Sequence, residues 1–164
     1  MERRADEKNK FNHRVTPRLA QSYSVCSVNK LYETLWLKFQ FMIENEITER
    51  ILKCAFKVHS ELGPGLLESS YKACLAYEMI SDGLFVEIEK PMPLIYKEVR
   101  LDVGYRLDLF VEHKVIIEIK VAEAFTDVHL AQMLTYLRLS NCKVGLLLNF
   151  KVASLKNGIK RVVL

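Results

Sequence analysis

The chain is 164 residues long, half of its residues are hydrophobic and its net charge is +4, which suits one soluble domain with a core of its own. No apolar run approaches the ~18 residues that a membrane-spanning helix needs, and the charged start MERRADEKNK has no apolar stretch behind it, so we expect a cytoplasmic protein without membrane contact. The first 41 residues hold eight Lys/Arg and four Asp/Glu and the others sixteen of each, so the body of the chain lacks the basic surplus of many nucleic-acid-binding domains.

The N-terminal part of the sequence has little pattern. Residues 1–30 are polar and aperiodic, and residues 31–43, LYETLWLKFQFMI, could form a short helix with an irregular pattern. Met42 stands just before the first well-patterned element. We therefore predict a leader, residues 1–41, that is disordered or loosely docked, and a folded domain, residues 42–164.

Two helices are predicted at the start of the folded domain. The first has apolar residues at spacings of four, four, three and four, which is typical of an amphipathic helix, and it ends at Gly63-Pro64-Gly65. The second helix runs from about Leu66 to Ser81 and stops at Asp82-Gly83. The apolar residues of the first helix are Ile47, Ile51, Ala55, Val58 and Leu62.

The remaining elements are mostly strands. Residues 84–101 contain short alternating runs and two prolines, which indicates edge strands. A helix capped by Thr126 or Asp127 is predicted to end near Ser140. Further strands are predicted over residues 104–111, 115–120 and 143–150, with a last strand or short helix near 159–163. This order predicts an α/β sandwich built on a mixed sheet, and not a regular β-α-β alternation.

Two neighbouring strands carry charged residues inside otherwise apolar runs. Because strand side chains alternate between faces, Leu107, Leu109 and Val111 are predicted to share one face, and Asp108 and Phe110 the other. If the hairpin turns at His113, each residue stands opposite the one equally far beyond the turn. Asp108 is then expected to face Glu118, with Lys120 two residues along on the same face.

This arrangement predicts a metal site. Two carboxylates directly opposed at about 5 Å repel each other, and Mg²⁺ or Mn²⁺ relieves the repulsion because hard cations prefer carboxylate oxygens. Lys120 could then reach a metal-bound water or a phosphate oxygen, which suits hydrolysis of phosphodiesters. The alternative is a solvated charge ladder on an exposed sheet face, and a one-residue slip in register would separate the carboxylates.

Three motifs resemble those of the PD-(D/E)XK nuclease superfamily. Asp108 and, after nine intervening residues, Glu118-Ile119-Lys120 resemble its D-x(n)-E-x-K signature. The segment Gly65–Tyr71, GLLESSY, resembles the G-x-x-E-x-x-Y element that names its GxxExxY family, and Gln132–Tyr136, QMLTY, is similar to the Q-x-x-x-Y element of RecB-type exonucleases. The resemblance covers about residues 45–163. It implies a restriction-endonuclease-like sandwich, a mixed β-sheet flanked by helices.

The resemblance also implies roles for the motif residues. Asp108 and Glu118 would hold Mg²⁺ or Mn²⁺, with help from Glu68 and from the backbone carbonyl of Ile119. Lys120 would orient the attacking water and help to deprotonate it, while the metal stabilises charge in the transition state.

Three further residues are expected to position the substrate. Gln132 and Tyr136 lie four residues apart, hence on one helix face, and would position the substrate strand or Lys120. They need not be buried, because other residues of the helix can supply the core. Those residues are Val128, Ala131, Leu134, Leu137 and Leu139. Tyr71 belongs to this group or is a packing aromatic.

Several residues also have an ordinary structural explanation. Glu68 lies in the first turn of its helix, where the positive end favours any carboxylate. His129 lies near Gln132 and could touch the site, or be a surface or hydrogen-bonded histidine, whereas His59 and His113 are expected to be structural. The cysteines are expected to be reduced thiols packed as small hydrophobic side chains: Cys26, Cys54, Cys74 and Cys142.

The sequence therefore predicts a metal-dependent enzyme that hydrolyses phosphodiester bonds in nucleic acid, with DNA as the expected substrate. The neutral body favours an alternative, a catalytically silent nuclease-fold module that binds a protein partner or nucleic acid, because a nuclease cleft usually needs basic surroundings. A third alternative is an accessory subunit whose basic groove comes from another chain. The sequence is also compatible with a protein partner or a homo-oligomer.

The proposed domain boundary can be tested by truncation. Deleting residues 1–41 should leave residues 42–164 folded with little loss of thermal stability, because the leader lacks a pattern that would pack into a core. Circular dichroism melts of the full chain and of the truncated protein measure this. A truncated protein that aggregates or lacks a cooperative melt would show that the boundary is drawn in the wrong place.

Overall fold

The computed structural model describes the backbone of residues 25–164 and the side chains of that range other than those of residues 25–42, 95–96 and 102–103. The chain divides into two compact units, Met1–Trp36 and Leu37–Leu164, and the second contains all five strands of the sheet. The predicted state of residues 1–24 lies outside the described residues. The predicted boundary at residue 42 stays a prediction.

Helices and strands follow the predicted order. The elements are α1 (Val25–Leu62), α2 (Glu68–Ser81), β1 (Val86–Tyr96), β2 (Val99–Val111), β3 (Val115–Lys120), α3 (Asp127–Ser140), β4 (Val144–Asn149), a short 3-10 helix (Leu155–Gly158) and β5 (Ile159–Val163). The α1 helix begins earlier than we predicted and includes the backbone of residues 31–43. None of the helices in the described part of the chain is long and apolar enough to cross a membrane.

The five strands form one mixed sheet in the order β1-β2-β3-β4-β5. The neighbours β3 and β4 are parallel, because α3 carries the chain back between them, and the other neighbouring pairs are antiparallel. Leu109 pairs with Ile117, and Val111 with Val115, which confirms the predicted register of the β2–β3 hairpin. Glu112 and His113 take the left-handed conformation that its tight turn requires.

The prolines lie on an edge strand, as predicted. The β1 strand is at one edge of the sheet, where Pro91 can be accommodated although it lacks a backbone N–H. The pairing between β1 and β2 shifts between Met92 and Leu94, so Pro93 lies at a bulge. These two features make β1 a poor template for pairing with another strand.

The sheet has a hydrophobic core on each face. The core on the α1 and α2 side includes Ile47, Ile51, Ala55, Val58, Tyr71, Leu75, Met79, Leu109, Val111, Ile117 and Ile119. The core on the α3 side includes Leu107, Phe110, Ile116, Met133, Tyr136, Leu137 and Leu147. Four of the five predicted apolar residues of α1 are buried, and the fifth, Leu62, is largely exposed at the helix end. The α/β sandwich with helices on both faces of a mixed sheet is confirmed.

The chain after β4 is packed closely against the sheet. A Cβ atom added to Gly158 would collide with the backbone carbonyl oxygen of Asn149 and lie 2.8 Å from a methyl carbon of Val152. The carbonyl oxygen cannot move away cheaply, because it belongs to the backbone of Asn149, which is itself buried. Glycine is therefore needed here for close approach, and not for a special backbone angle.

Substituting this glycine tests the packing. We expect Gly158→Ala to destabilise the protein by about 1–3 kcal/mol, the usual cost of overpacking, as measured by urea denaturation. The exposed neighbour Lys156 offers a control, because Lys156→Ala should leave the free energy of unfolding close to that of the wild type. Equal stability of Gly158→Ala and wild type would contradict this close contact.

Candidate active site

Asp108 lies where strands β2 and β3 part. Their pairing ends at Leu109 and Ile117, and beyond it the Asp108 carboxylate accepts a hydrogen bond of 2.9 Å from the backbone N–H of Ile119. Its other oxygen lies 3.1 Å from the Lys72 ammonium. The carboxylate thus occupies the position of a missing strand carbonyl, and this charge-assisted bond fixes Asp108 against β3.

The predicted alternation of β2 is wrong next to Asp108. We expected Leu107 to share a face with Leu109, but Leu107 packs with Phe110 in the core on the α3 side, whereas Leu109 packs on the α1–α2 side. On the facing strand Glu89 has a left-handed φ of 52°. The alternation of side chains is interrupted here. The Asp108 side chain extends along the sheet toward β3 and does not project from either face.

Glu118 is the most deeply buried acid of the group. Its side chain is 5% exposed, and one oxygen accepts a hydrogen bond of 2.8 Å from the Lys120 ammonium. The other oxygen is buried and has no hydrogen-bond partner in the described part of the chain. Burial, followed by the negative charges of Asp108 and Glu68, raises the pKa of Glu118 to about 7, although Lys120 opposes the shift.

Lys120 is the cation of this group. Its burial acts to lower the pKa, but the hydrogen bond from its ammonium to Glu118 and the charges of Glu118, Glu68 and Asp108 outweigh burial, so the pKa of Lys120 is raised. The negative charges around Lys120 thus outweigh its burial, whereas burial is the largest cause of the raised pKa of Glu118. In the metal-free protein Lys120 is a charged hydrogen-bond donor to Glu118.

Glu68 brings the start of α2 to the end of β3. It is the first residue of the helix, and its carboxylate accepts a hydrogen bond of 3.0 Å from the backbone N–H of Val121, directly after Lys120. The side chain is exposed. Glu68 thus lies at the end of β3 and ties a helix to a strand.

Tyr71 has a packing role, the second of the two roles that we considered. It is fully buried and stacks on Phe150 with ring centroids 4.4 Å apart. Its hydroxyl donates to the carbonyl of Gly63 at 2.6 Å and accepts from the N–H of Leu66 at 3.1 Å. Because its ring and hydroxyl are both engaged inside the protein, we do not retain Tyr71 as a substrate-positioning residue.

Gln132 and Tyr136 reach the group from α3. The Gln132 amide donates to the Tyr136 hydroxyl at 2.8 Å. Burial raises the pKa of Tyr136, and the charges of Glu118, Lys120 and Asp108 also act on it, so the phenol lies near these residues. The expectation that Tyr136 need not be buried is wrong, because it packs in the core while the predicted core residue Val128 is 73% exposed. The buried face of α3 consists of Met133, Tyr136 and Leu137.

The remaining predicted candidates are structural. His129 Nδ1 accepts from the N–H of Thr126, whose hydroxyl accepts from the N–H of His129, and together they close the start of α3. His59 bonds to the carbonyl of Val152, and His113 Nδ1 lies 3.1 Å from a carboxylate oxygen of Glu87. The cysteines with described side chains are free thiols, as predicted: Cys54, Cys74 and Cys142.

The donor set suits a hard divalent cation but is not arranged around one. In the described residues no three acidic, imidazole or thiol side chains are grouped as metal ligands, because Asp108 and Glu68 are turned to backbone N–H groups. The unpartnered buried oxygen of Glu118 and the surplus of negative charge around it nevertheless fit Mg²⁺ or Mn²⁺. The ligand set Asp108, Glu118 and Glu68 stays a prediction.

Two residues of the site were missed in the sequence. Lys72 pairs with Asp108 and with Glu89, and its position four residues after Glu68 was the available signal, since such residues share a helix face. Asn149 is buried at the end of β4 and exchanges hydrogen bonds with both backbone groups of Ala122, which holds the segment after Lys120. A lone polar residue at the end of an apolar strand gave no comparable signal.

Comparison with known proteins identifies the family. A family model described as the PD-(D/E)XK nuclease superfamily matches residues 45–162. The chain therefore belongs to the PD-(D/E)XK nuclease superfamily. The match spans both helical layers and the whole sheet. No curated protein and no solved structure matches the chain significantly.

The buried acid should give the metal-free protein a distinct pH dependence. The pKa of Glu118 is raised to about 7 in the folded state, so its contribution to stability is complete below about pH 4.5 and is lost as the pH rises to about 7. Relative to Glu118→Gln, the wild type should therefore lose about 3 kcal/mol of stability between pH 5 and pH 8.

Urea denaturation of both proteins in EDTA at several pH values measures this difference. The exposed carboxylate Glu49 provides the control, because Glu49→Gln should keep the pH dependence of the wild type. Parallel stability curves for wild type and Glu118→Gln would contradict the buried, crowded environment of Glu118.

Proposed function

We propose that this protein is a metal-dependent nuclease of the GxxExxY type, which hydrolyses phosphodiester bonds in nucleic acid, with DNA as the expected substrate. The observation that carries the proposal is the buried Glu118 carboxylate. One of its oxygens has no hydrogen-bond partner among the described residues. The charges of Asp108, Glu68 and Lys120 act on its pKa. A fold of this superfamily with both signature acids and the signature lysine in one charged group supports hydrolysis more than any other chemistry.

In this proposal the three acids are the metal ligands. Asp108, Glu118 and Glu68 would hold Mg²⁺ or Mn²⁺, together with the backbone carbonyl of Ile119. A bound divalent ion supplies a water of lowered pKa and a positive charge for the transition state. The hydrogen bonds that Asp108 and Glu68 accept from backbone N–H groups fix these carboxylates at the end of β3 and restrict their rotation.

Lys120 is proposed to act as a donor. Its raised pKa keeps it an ammonium, which can orient an attacking water or a phosphate oxygen and stabilise negative charge there. This differs from the role in deprotonation that the superfamily resemblance implied.

Gln132 and Tyr136 are proposed to position the substrate or Lys120. Their hydrogen bond holds the Gln132 amide on the site side of α3. The Tyr136 ring is held in turn by an edge contact with Tyr105, with ring centroids 6.1 Å apart. Tyr105 is partly exposed, so this aromatic pair links the buried site to the surface.

A second candidate function is a silent binding module or an accessory subunit. It is favoured by the sixteen basic and sixteen acidic residues that follow residue 41, since phosphate binding generally requires a basic surplus. Such a protein would bind nucleic acid or a protein partner without cutting. Binding of fluorescent DNA without cleavage, with a steep dependence on salt concentration, would support it.

A cleavage assay tests the proposal. The wild type should cut single- or double-stranded DNA or RNA in Mg²⁺ or Mn²⁺ and not in EDTA, and Lys120→Ala should lower the rate about 100-fold or more, because a preorganised charge is lost from the transition state. Lys151 is exposed and pairs with Glu123, so Lys151→Ala is the matched control and should cut like the wild type.

The assay also separates the alternatives. Equal cleavage by wild type and Lys120→Ala would point to a contaminating nuclease and count against the proposed site. A wild type that binds DNA but cuts none of the four substrates in either metal would replace the nuclease with the binding module.

A further inference from the structure

A lysine outside the D-x(n)-E-x-K signature neutralises one of the acids of the site. Lys72 lies on α2, and its ammonium is 3.1 Å from Asp108 and 2.8 Å from Glu89. The side chain is only 16% exposed, so it is held between the helix and the sheet and does not move freely in solvent. Each signature acid thus has its own lysine, Lys120 on Glu118 and Lys72 on Asp108.

The two lysines hold their acids differently. Lys120 is two residues from Glu118 on one strand, whereas Lys72 and Asp108 are 36 residues apart and belong to different layers of the fold. The Lys72 ammonium lies against the Asp108 oxygen that does not bond to the backbone. A divalent cation that binds this oxygen must displace the ammonium or share the carboxylate with it, and two cations in such proximity repel strongly.

Glu89 gives Lys72 a second acceptor. One oxygen of Glu89 pairs with Lys72, and the other lies 3.1 Å from Arg106. If Lys72 releases Asp108, it can therefore keep its ion pair with Glu89 and remain partly compensated. Release of Asp108 thus costs Lys72 only one of its two ion pairs. Another cation could then replace the Lys72 ammonium at Asp108 without unfolding any helix or strand.

We propose that Lys72 is a resident counter-ion of Asp108 that competes with the divalent metal and thereby sets the metal affinity of the site. This inference rests on the proposed metal site. In the metal-free protein Lys72 relieves the repulsion among the carboxylates and holds Asp108 in place. When a metal binds, the same positive charge opposes it. Lys72 is a positioning residue in this proposal and not a catalytic one.

Metal binding by charge variants tests the competition. Free Mn²⁺, followed by electron paramagnetic resonance, gives the dissociation constant for wild type, Lys72→Gln and Lys72→Arg. We expect Lys72→Gln to bind Mn²⁺ about tenfold more tightly, which corresponds to about 1.4 kcal/mol, because a repelling charge is removed. Lys72→Arg keeps the charge and should stay close to the wild type.

A matched control lies elsewhere in the layer formed by α1 and α2. Lys57 forms an ion pair of 2.8 Å with Glu78 between α1 and α2, a contact of the same kind as that of Lys72 with Glu89 and made by residues outside the site. Lys57→Gln should leave the dissociation constant of Mn²⁺ unchanged. A change like that of Lys72→Gln would show that any loss of positive charge has this effect, and it would overturn the specific role of Lys72.

Thermal melts separate competition from simple structural support. In EDTA, Lys72→Gln should melt below the wild type, because Asp108 loses its counter-ion, while the increase in Tm caused by saturating Mn²⁺ should be larger than in the wild type. A purely structural lysine would lower the Tm equally with and without metal, and that result would overturn the proposal.

The results also distinguish the inference from the function beneath it. If the wild type binds Mn²⁺ and Lys72→Gln binds it equally or more weakly while its circular dichroism spectrum is native, only the role of Lys72 fails. If the folded wild type binds neither Mn²⁺ nor Mg²⁺, the proposed metal site itself fails, and the inference fails with it.

Discussion

The parting of strands β2 and β3 is the constraint on which the candidate site depends. Where their ladder ends, the N–H of Ile119 needs an acceptor, and Asp108 provides it with a side chain in place of a backbone carbonyl. This single bond fixes an acid beside the end of β3, the strand that carries Glu118 and Lys120. The Asp108 carboxylate therefore has two effects: it accepts the backbone N–H of Ile119, and it adds a negative charge to the site.

The helical layers complete this arrangement from opposite faces. The α2 helix brings Glu68 to the N–H of Val121, and α3 brings Tyr136 into the core under Glu118. The G-x-x-E-x-x-Y segment therefore has a structural role. Its glutamate binds the backbone after β3, and its tyrosine hydroxyl binds the backbone of the glycine-rich loop before the helix. The motif links loop, helix and strand.

The charge of the body is neutral as a whole but uneven in its distribution. Three acids and two lysines are grouped at the end of β3. Burial and the neighbouring acids raise the pKa of Glu118, and the same acids raise the pKa of Lys120. Such a local surplus attracts a small cation even though residues 42–164 as a whole carry no net charge. Net charge is therefore a poor guide to what this site binds, because the field near a buried carboxylate is set by its immediate neighbours.

What the sequence determined by itself was local. Alternation and turn position predicted the register of the β2–β3 hairpin, two prolines predicted an edge strand, and a threonine marked the start of α3, because each of these depends on neighbours along the chain. Only the tertiary structure decided that Asp108 points along the sheet, that Tyr136 is buried, and that Lys72 and Asn149 support the site. These features arise from contacts between residues such as Lys72 and Asp108, 36 positions apart, or Ala122 and Asn149, 27 apart. Periodicity within one element carries no information about which distant element will face it, so contacts of this kind appear only when the layers pack.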